Sequence, residues 1–498
     1  MDGNSVRVQG NRFVDKLGRH VLLHGVNMVC KDKSVHYVGD WGEKDFYNLK
    51  KWGMNVIRFG VIWDGIEPEA GAYNDLYIEE LRRLIQLANK FGLFVFLDMH
   101  QDLFSADFGD GAPVWATITD GEEYEPGETW SDAYLFNGAV QKSFDHFWNN
   151  TPGPDGVGIQ DHFIQAWAYL VEKLHMEPNI IGYDLFNEPF IGSPVQQVNE
   201  QIFTAFAECY QRKYGEIDLN QLYSAFSDPK EKQTYFSLLD DPETYKEVVD
   251  APSTVLQSFE KKILSEFYRK AAYAIRSIDA ERILFLETNY FSNLGTSSMI
   301  QPVLDNNGNK DPQQAYSPHS YDVVVDSDLA HTANDRRLEF IFERHEETRQ
   351  RLDMPMLIGE WGAFYNSHKT GHVALHIKRL MERLLCSDTY WSYTDDMDQS
   401  SSFLGIQRAY PIAVAGTLLQ YRHEDAIGTY QMKWEETSVI GAPTLIYLPD
   451  IRNFKEKDIS LSPEGSSYVL RKMDDSDGGY LEIPPITDSI RSLVIVGR

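Results

Sequence analysis

Up to about residue 400 the chain alternates short, mainly apolar runs with longer stretches whose apolar residues recur every three or four positions. The runs Val21–Val26, Asn55–Phe59, Leu93–Leu97, Ile180–Phe186, Ile283–Leu286, a short one before His319, Met356–Ile358 and Thr389–Tyr393 have the length of strands. A strand apolar on both faces must be covered on both, as in a parallel sheet flanked by helices. The segments between them, Asp75–Phe91, Ile159–Leu174, Phe259–Ser277, Asn334–Leu352 and Gly371–Leu385, read as amphipathic helices. This alternation predicts an α/β protein built on a (β/α)8 TIM barrel. A doubly wound sheet is the alternative. It requires a Gly-rich phosphate turn after its first strand, and Gly25-Val26-Asn27-Met28 is not one.

Beyond residue 420 the pattern changes to short alternating runs: Thr429–Trp434, Pro443–Leu448, Tyr468–Met473, Tyr480–Pro484 and Ser492–Val496. Gly, Pro and Asp-rich turns separate them, which predicts a small antiparallel β-sandwich. The expected division is therefore a barrel domain over 1–420 and a C-terminal β-sandwich over 421–498. A short hairpin, Ser5–Val8 with Arg12–Val14, is placed at the bottom of the barrel. Two connections are unusually long, and long loops in compact domains are commonly functional. Residues 101–158 follow the third strand and carry Phe104, Phe108, Trp115, Trp130, Tyr134, Phe136, Phe147 and Trp148. Residues 190–257 follow the fourth, are polar, and read equally well as a cap on the barrel.

Charge narrows the partners. A formal charge of −29 disfavours nucleic acid, whose binding relies on Lys and Arg neutralising phosphates. It also disfavours adsorption to an anionic membrane, and a small neutral substrate fits better. The cysteines Cys30, Cys209 and Cys386 are odd in number and widely spaced, so they read as buried thiols. Met1-Asp2-Gly3-Asn4 begins no signal peptide and no stretch approaches a membrane span, which points to a cytoplasmic protein, or to a secreted one trimmed of its leader.

Two strings at presumptive strand ends carry the chemistry. Asn187-Glu188-Pro189 follows Ile180–Phe186, and Gly359-Glu360-Trp361 follows Pro355–Ile358. Paired carboxylates at the strand mouths of one barrel suit retaining glycoside hydrolysis, in which one is the acid and the other the nucleophile. Glu188 suits the acid, and its plain alternative is a helix-capping loop glutamate. Asn187 is placed to donate to a sugar 2-hydroxyl. Glu360 suits the nucleophile, which needs a cation nearby, and Arg58 at the end of the second strand supplies one; a structural ion pair is the alternative. His100 and Asp102 follow the third strand, and His319 and Tyr321 lie near the sixth. They are candidates for sugar hydroxyls, against packed core or surface roles. A metal site among such groups has no HxH or HExxH spacing behind it, so none is assigned. Trp391 ends the last strand, as a sugar platform or as packing. No GxSxG supports a serine nucleophile.

Together Arg58, Asn187-Glu188-Pro189, His319-x-Tyr321, Glu360 and Trp391 resemble glycoside hydrolase family 5 of the clan-A barrels. The strings Leu97-Asp98-Met99-His100-Gln101-Asp102 and Tyr410-Pro411-Ile412-Ala413-Val414-Ala415-Gly416, with the β-rich tail, resemble its endoglycoceramidase and glucocerebrosidase-like branch. The resemblance implies Glu188 as acid/base, Glu360 as nucleophile, and Asn187, His100, Asp102, His319 and Tyr321 as glycan contacts. It also implies a sugar-binding lysine after the first strand, matched to Lys33, with Lys31 close by. The expected function is a retaining β-glycosidase that cleaves glucose, or a short glycan, from a hydrophobic aglycone such as ceramide, with no cofactor. The alternatives are an endo-β-1,4-glucanase acting on polysaccharide and a catalytically silent carbohydrate- or lipid-binding barrel. The long loops bear on whether cleavage is endo or removes one sugar.

Overall fold

The structure, a computed structural model, describes residues 5–127, 129–215, 235–305, 307–365, 367–424, 428–452, 455, 458–486 and 488–496. The part of the second long connection at 216–234 therefore lies outside the described residues. The eight-stranded sheet is made of β4 (His24–Met28), β5 (Val56–Ile62), β6 (Phe94–His100), β7 (Ile180–Asp184), β8 (Ile283–Leu286), β9 (Gln314–Tyr316), β11 (Leu357–Ile358) and β13 (Ser387–Tyr390). Neighbouring strands are parallel, and a bridge from Tyr316 to Met356 closes β9 onto β11. Two short strands continue the sixth and seventh staves upward, β10 (His319–Ser320) and β12 (Glu360–Trp361). Their register sets His319 directly beside Glu360.

Side chains alternate across each strand, so the same positions that fill the bottom of the barrel lead, two residues on, to its top. Val56, Phe94, Phe96, Ile181, Ile283, Phe285 and Leu357 form an apolar layer below. Arg58, Asp98 and Asp184, each fully buried, stand above it. Helices cover the outside. That over Asp75–Lys90 buries Tyr77, Ile78, Leu81, Leu84, Ile85 and Ala88, a single stripe of the three-and-four spacing, and Asn74 caps it by accepting from the Tyr77 N–H.

The N-terminal hairpin, β1 (Val6–Gln9) and β2 (Arg12–Asp15), does close the bottom. Phe13 packs 6.3 Å from Phe285, and Val8 exchanges two hydrogen bonds with the Gln313 amide. It also joins the C-terminal part of the chain. With β3 (His20–Val21) it is continuous with β14 (Tyr410–Val414), β17 (Thr444–Leu448), β20 (Gly479–Ile483) and β19 (Val469–Lys472) in one sheet. The second sheet holds β15 (Gly416–Glu424), β16 (Thr429–Glu436), β21 (Ser489–Val496) and β18 (Ile459–Ser462). The expected boundary at 420 cuts through β15; the sandwich begins at β14. The chain crosses between sheets at Gly416, where φ is 139° and a side chain would meet the Glu435 carbonyl. The strand β14 was not legible as a sandwich strand because it is buried throughout, packed on the barrel bottom in the same core cluster as Phe96 and Phe285. Among the described residues no helix is long and apolar enough to cross a membrane.

Inside the sandwich Arg491 is fully buried, donates to Glu436 at 2.6 Å and to the Pro484 carbonyl at 3.1 Å, and lies 5.3 Å from the Trp434 ring. Removing one partner of such a pair leaves a buried charge uncompensated, at a cost of about 3–5 kcal/mol, whereas an apolar replacement of both is near neutral. Arg491→Met is therefore expected to lower the thermal midpoint by several degrees, and Glu436→Leu added to it to recover most of the loss, both read by calorimetry. An unchanged midpoint in the single variant would mean that the sandwich does not unfold with the rest.

Candidate active site

Arg58 organises the top of the barrel. Its Nη1 donates to Glu360 at 2.7 Å and to Asn27 at 3.1 Å; its Nε pairs with Asp184 at 2.9 Å. Its Nη2 reaches Asn187 at 2.9 Å, Glu287 at 2.8 Å and Asp98 at 2.9 Å. One guanidinium thus faces Asp98, Asp184, Glu287 and Glu360, all buried. Burial opposes ionisation at Asp98, but Arg58 and His100 hold it below the usual carboxylate range. Burial and the neighbouring Glu287 push Asp184 well above that range, so the cluster carries less negative charge than its count of carboxyls.

Glu188 sits in the turn after β7 with φ at 45°, a left-handed conformation that a non-glycine residue keeps only when its surroundings enforce it. Here its N–H donates to Glu287 at 2.8 Å, while the preceding Asn187 is fixed by its N–H to the Met99 carbonyl and its amide to Gln101. The Glu188 carboxyl accepts from Asn293 at 2.7 Å and from His319 Nδ1 at 2.8 Å. Across from it Glu360 accepts from Arg58 on one oxygen and from the Tyr321 hydroxyl, at 2.8 Å, on the other. His319 lies between the two, 3.5 Å from Glu360, and ligand atoms of all three lie within 4.8 Å of one another. Burial raises Glu188 to about 7, reinforced by the charges of Glu360 and Glu287 and opposed by His319. Burial works against a charged His319, yet Glu287 and Glu360 keep it well above its ordinary value.

Beside the pair, His100 stacks on Trp391 at 5.2 Å and binds Asp98 through Nδ1 at 2.8 Å, leaving Nε2 turned toward Asp102 at 3.8 Å. Burial opposes its charge, but Asp98 and Asp102 hold His100 up at about 10. Asp102 is brought down to about 2 by Lys31 and His100, against its burial. Of the two lysines after the first strand, Lys31 pairs with Asp102 and lies 4.5 Å over the Trp391 ring. Lys33 turns to Asp64 at 2.9 Å with 57% of its side chain exposed. Two residues apart on a loop, the lysines offered no pattern that distinguishes them.

The structure thus gathers Arg58, His100, Asp102, Asn187, Glu188, His319, Tyr321, Glu360 and Trp391 in one cluster at the C-terminal ends of the strands. It adds Asn27, Glu287 and Asn293. Glu287 carried a signal, since Ile283–Leu286 ends in a glutamate just as the fourth run leads into Glu188. Asn293 carried none, lying in a 3-10 turn at Tyr290–Leu294. Among the described residues three groups have metal-ligand spacing: His100 with Asp102 and Asp110, Glu188 with His319 and Glu360, and Asp98 with Asp184 and Glu287. Lys31 pairs with Asp102 in the first, Arg58 with Glu360 in the second, and Arg58 with all three carboxyls of the third.

Residues 14–212 and 242–397 match the family described as cellulase (glycosyl hydrolase family 5). The chain belongs to glycoside hydrolase family 5. Residues 408–481 match the family 5 C-terminal domain, which begins just before β14. An endoglycoceramidase of Hydra vulgaris is 31% identical over 218 residues, 38% of this chain and 41% of that protein. A glucosylceramidase of Aspergillus fumigatus is 30% identical over 245 residues, 37% of this chain and 32% of that protein. The chain thus spans well under two thirds of the length of the curated relatives it matches. Endo-glycoceramidase II from Rhodococcus sp., solved as a lactosyl-enzyme intermediate, has the same fold: TM-score 0.73 at 23% identity, covering 98% of this chain and 100% of that one.

A carboxyl raised in the fold binds its proton more tightly there than in the unfolded chain. Stability is therefore lost as pH rises from the ordinary value of 4.5 through about 7. Glu188→Gln should be more stable than the parent above pH 7, with the gain fading toward pH 4.5, in melts run across that range. Equal midpoints for the two proteins at every pH would contradict the assigned environment.

Proposed function

We propose that the protein is a retaining β-glycosidase acting on the β-bond between glucose, or a short glycan, and a hydrophobic aglycone of the ceramide type. The observation that carries this is the Glu188–Glu360 pair: two close carboxyls in opposite surroundings. Retaining enzymes hold their carboxyls about 5–5.5 Å apart, against about 6.5–9.5 Å where a water must fit between substrate and base. The bound of 4.8 Å between their oxygens supports the former.

Protonated Glu188 donates to the glycosidic oxygen as the bond to C1 lengthens. Glu360, fixed by Arg58 and Tyr321, attacks C1 from the other face and forms a glycosyl-enzyme. Glu188, now ionised, takes a proton from water, and the hydroxide equivalent displaces Glu360 to restore the enzyme with net retention. A general acid near its working pH serves both steps, which is why burial of Glu188 matters. Asn187, held by Arg58, faces the position of a 2-hydroxyl, and Trp391 with His100, Asp102 and Lys31 forms a wall for the sugar ring. The relatives named endoglycoceramidase and glucosylceramidase support a ceramide-type aglycone. The low exposure of the catalytic pair, 7% and 5%, speaks against an open polysaccharide groove.

Replacing Glu360 by Gln should abolish turnover of an aryl β-glucoside and of glucosylceramide. Azide should rescue Glu360→Gly, giving the α-glycosyl azide by single inversion. Parent-like turnover in Glu360→Gln would sink the proposal, and carboxymethyl cellulose as the best substrate of the panel would move it to the glucanase alternative.

A further inference from the structure

Above the catalytic pair three loops meet on one side chain. Asp326, after β10, accepts from the Trp130 indole N–H at 3.2 Å with one oxygen and from the Tyr365 hydroxyl at 2.7 Å with the other. Trp130 belongs to the insertion after β6 and Tyr365 to the loop after β12. Asp326 and Tyr365 both have left-handed backbones, with φ of 56° and 44°. Aspartate tolerates this; for tyrosine it is an outlier that neighbouring contacts must enforce. The bridge also adjoins the sugar wall. The Lys31 ammonium is 5.9 Å from the Trp130 ring and 4.5 Å from the Trp391 ring, and it pairs with Asp102.

The position of the pair orients a substrate. The leaving group departs on the side of Glu188, and if the sugar ring lies on the wall of Trp391, His100, Asp102 and Lys31 proposed above, its remaining hydroxyls face Lys31 and Asp102. A second sugar attached to that ring would continue past Lys31 into Trp130 and Asp326. We propose that the Trp130–Asp326–Tyr365 clasp closes the sugar end of the site, so that the enzyme removes one monosaccharide and rejects substrates from which an intact disaccharide would have to leave. This rests on the glycosidase reading above and adds to it the residues that set the number of sugars held.

The test compares nitrophenyl β-glucoside with nitrophenyl β-lactoside, with products separated by chromatography. Asp326→Ala cuts both bonds, while Tyr365→Phe cuts one and keeps its ring, and Trp130→Phe cuts the other and leaves a smaller aromatic ring. The parent should hydrolyse the glucoside and scarcely the lactoside. In Asp326→Ala the lactoside-to-glucoside ratio of kcat/KM should rise at least about tenfold, the scale on which pocket contacts discriminate, with intact lactose as product. The single-bond variants should fall between. Release of lactose by the parent at a rate comparable with glucose overturns the proposal. So does an equal gain on both substrates, which would make the clasp a gate to entry, or an unchanged ratio in variants that a fluorosugar trap still labels at Glu360. Failure of the parent to hydrolyse or be labelled by any aryl glycoside would instead overturn the glycosidase reading, and the clasp with it.

Discussion

The constraint on which the site depends is the burial of one arginine. A guanidinium fully removed from water is tolerated only where its donors are met by acceptors of opposite charge, and Arg58 has five N–H groups in a rigid fork. Asp184, Glu287, Glu360, Asn27 and Asn187 accept from them and Asp98 adds a charge beside them, all drawn from the strands and strand ends on either side of β5. Because the fork reaches Glu360 and not Glu188, these two carboxyls are electrostatically unequal. Glu360 faces a permanent cation, whereas Glu188 faces Asn293, a titratable His319 and the charge of Glu360 itself. The same contacts set direction: Asn187 is oriented by Arg58, and Glu287 links Arg58 to the Glu188 backbone. A lysine in place of Arg58 could neutralise one carboxylate but could not hold four residues in register.

Such a cluster needs a stiff base, and the lower half of the molecule supplies it. The apolar layer of the barrel shares a core with Phe13, Ile412, Val414 and Ile446 of the sandwich sheet. Tyr410 and Tyr447 reach up to the Gly53 and Lys51 carbonyls, and Gly53 leaves no space for a side chain against the Tyr447 ring. The opposite end carries strain. Leu103, Phe104, Glu188, Asp326, Ala363 and Tyr365, each in a loop that leaves the top of a stave, have φ between 44° and 73°. Backbone held in these conformations costs on the order of 1–3 kcal/mol per residue and persists only where packing over-determines it. The sandwich is thus part of the barrel's foundation, which explains why the N-terminal hairpin crosses over to join it.

The barrel, its helices and the meeting of Glu188 with Glu360 at the strand ends were legible because each leaves a one-dimensional trace: continuous apolar runs, three-and-four spacing, and a carboxylate where a run stops. Arg58 was legible for the same reason, as a charge inside an apolar strand. What escaped depends on distance between remote segments. The difference between Lys31 and Lys33 is which way a loop turns after β4, and nothing local fixes it. Asn293 reaches Glu188 across 105 positions of sequence. The misplaced boundary at 420 has another cause: β14 looks like a barrel element because it is as buried as one, and only its antiparallel partners β3 and β17 assign it to the sandwich.

That contrast separates the chemistry of this family 5 chain from its selectivity. Glu188 and Glu360 stand on or just beyond strands, and their geometry follows from barrel closure and one inward arginine. The rim above the site is built where loops from the third, sixth and seventh strands touch, through single hydrogen bonds such as those on Asp326. Each such contact is worth little in stability, so it can be gained or lost without endangering the fold. A barrel with a rigid polar centre and weakly tied loops can therefore change its rim while Arg58 and the carboxylates around it stay fixed.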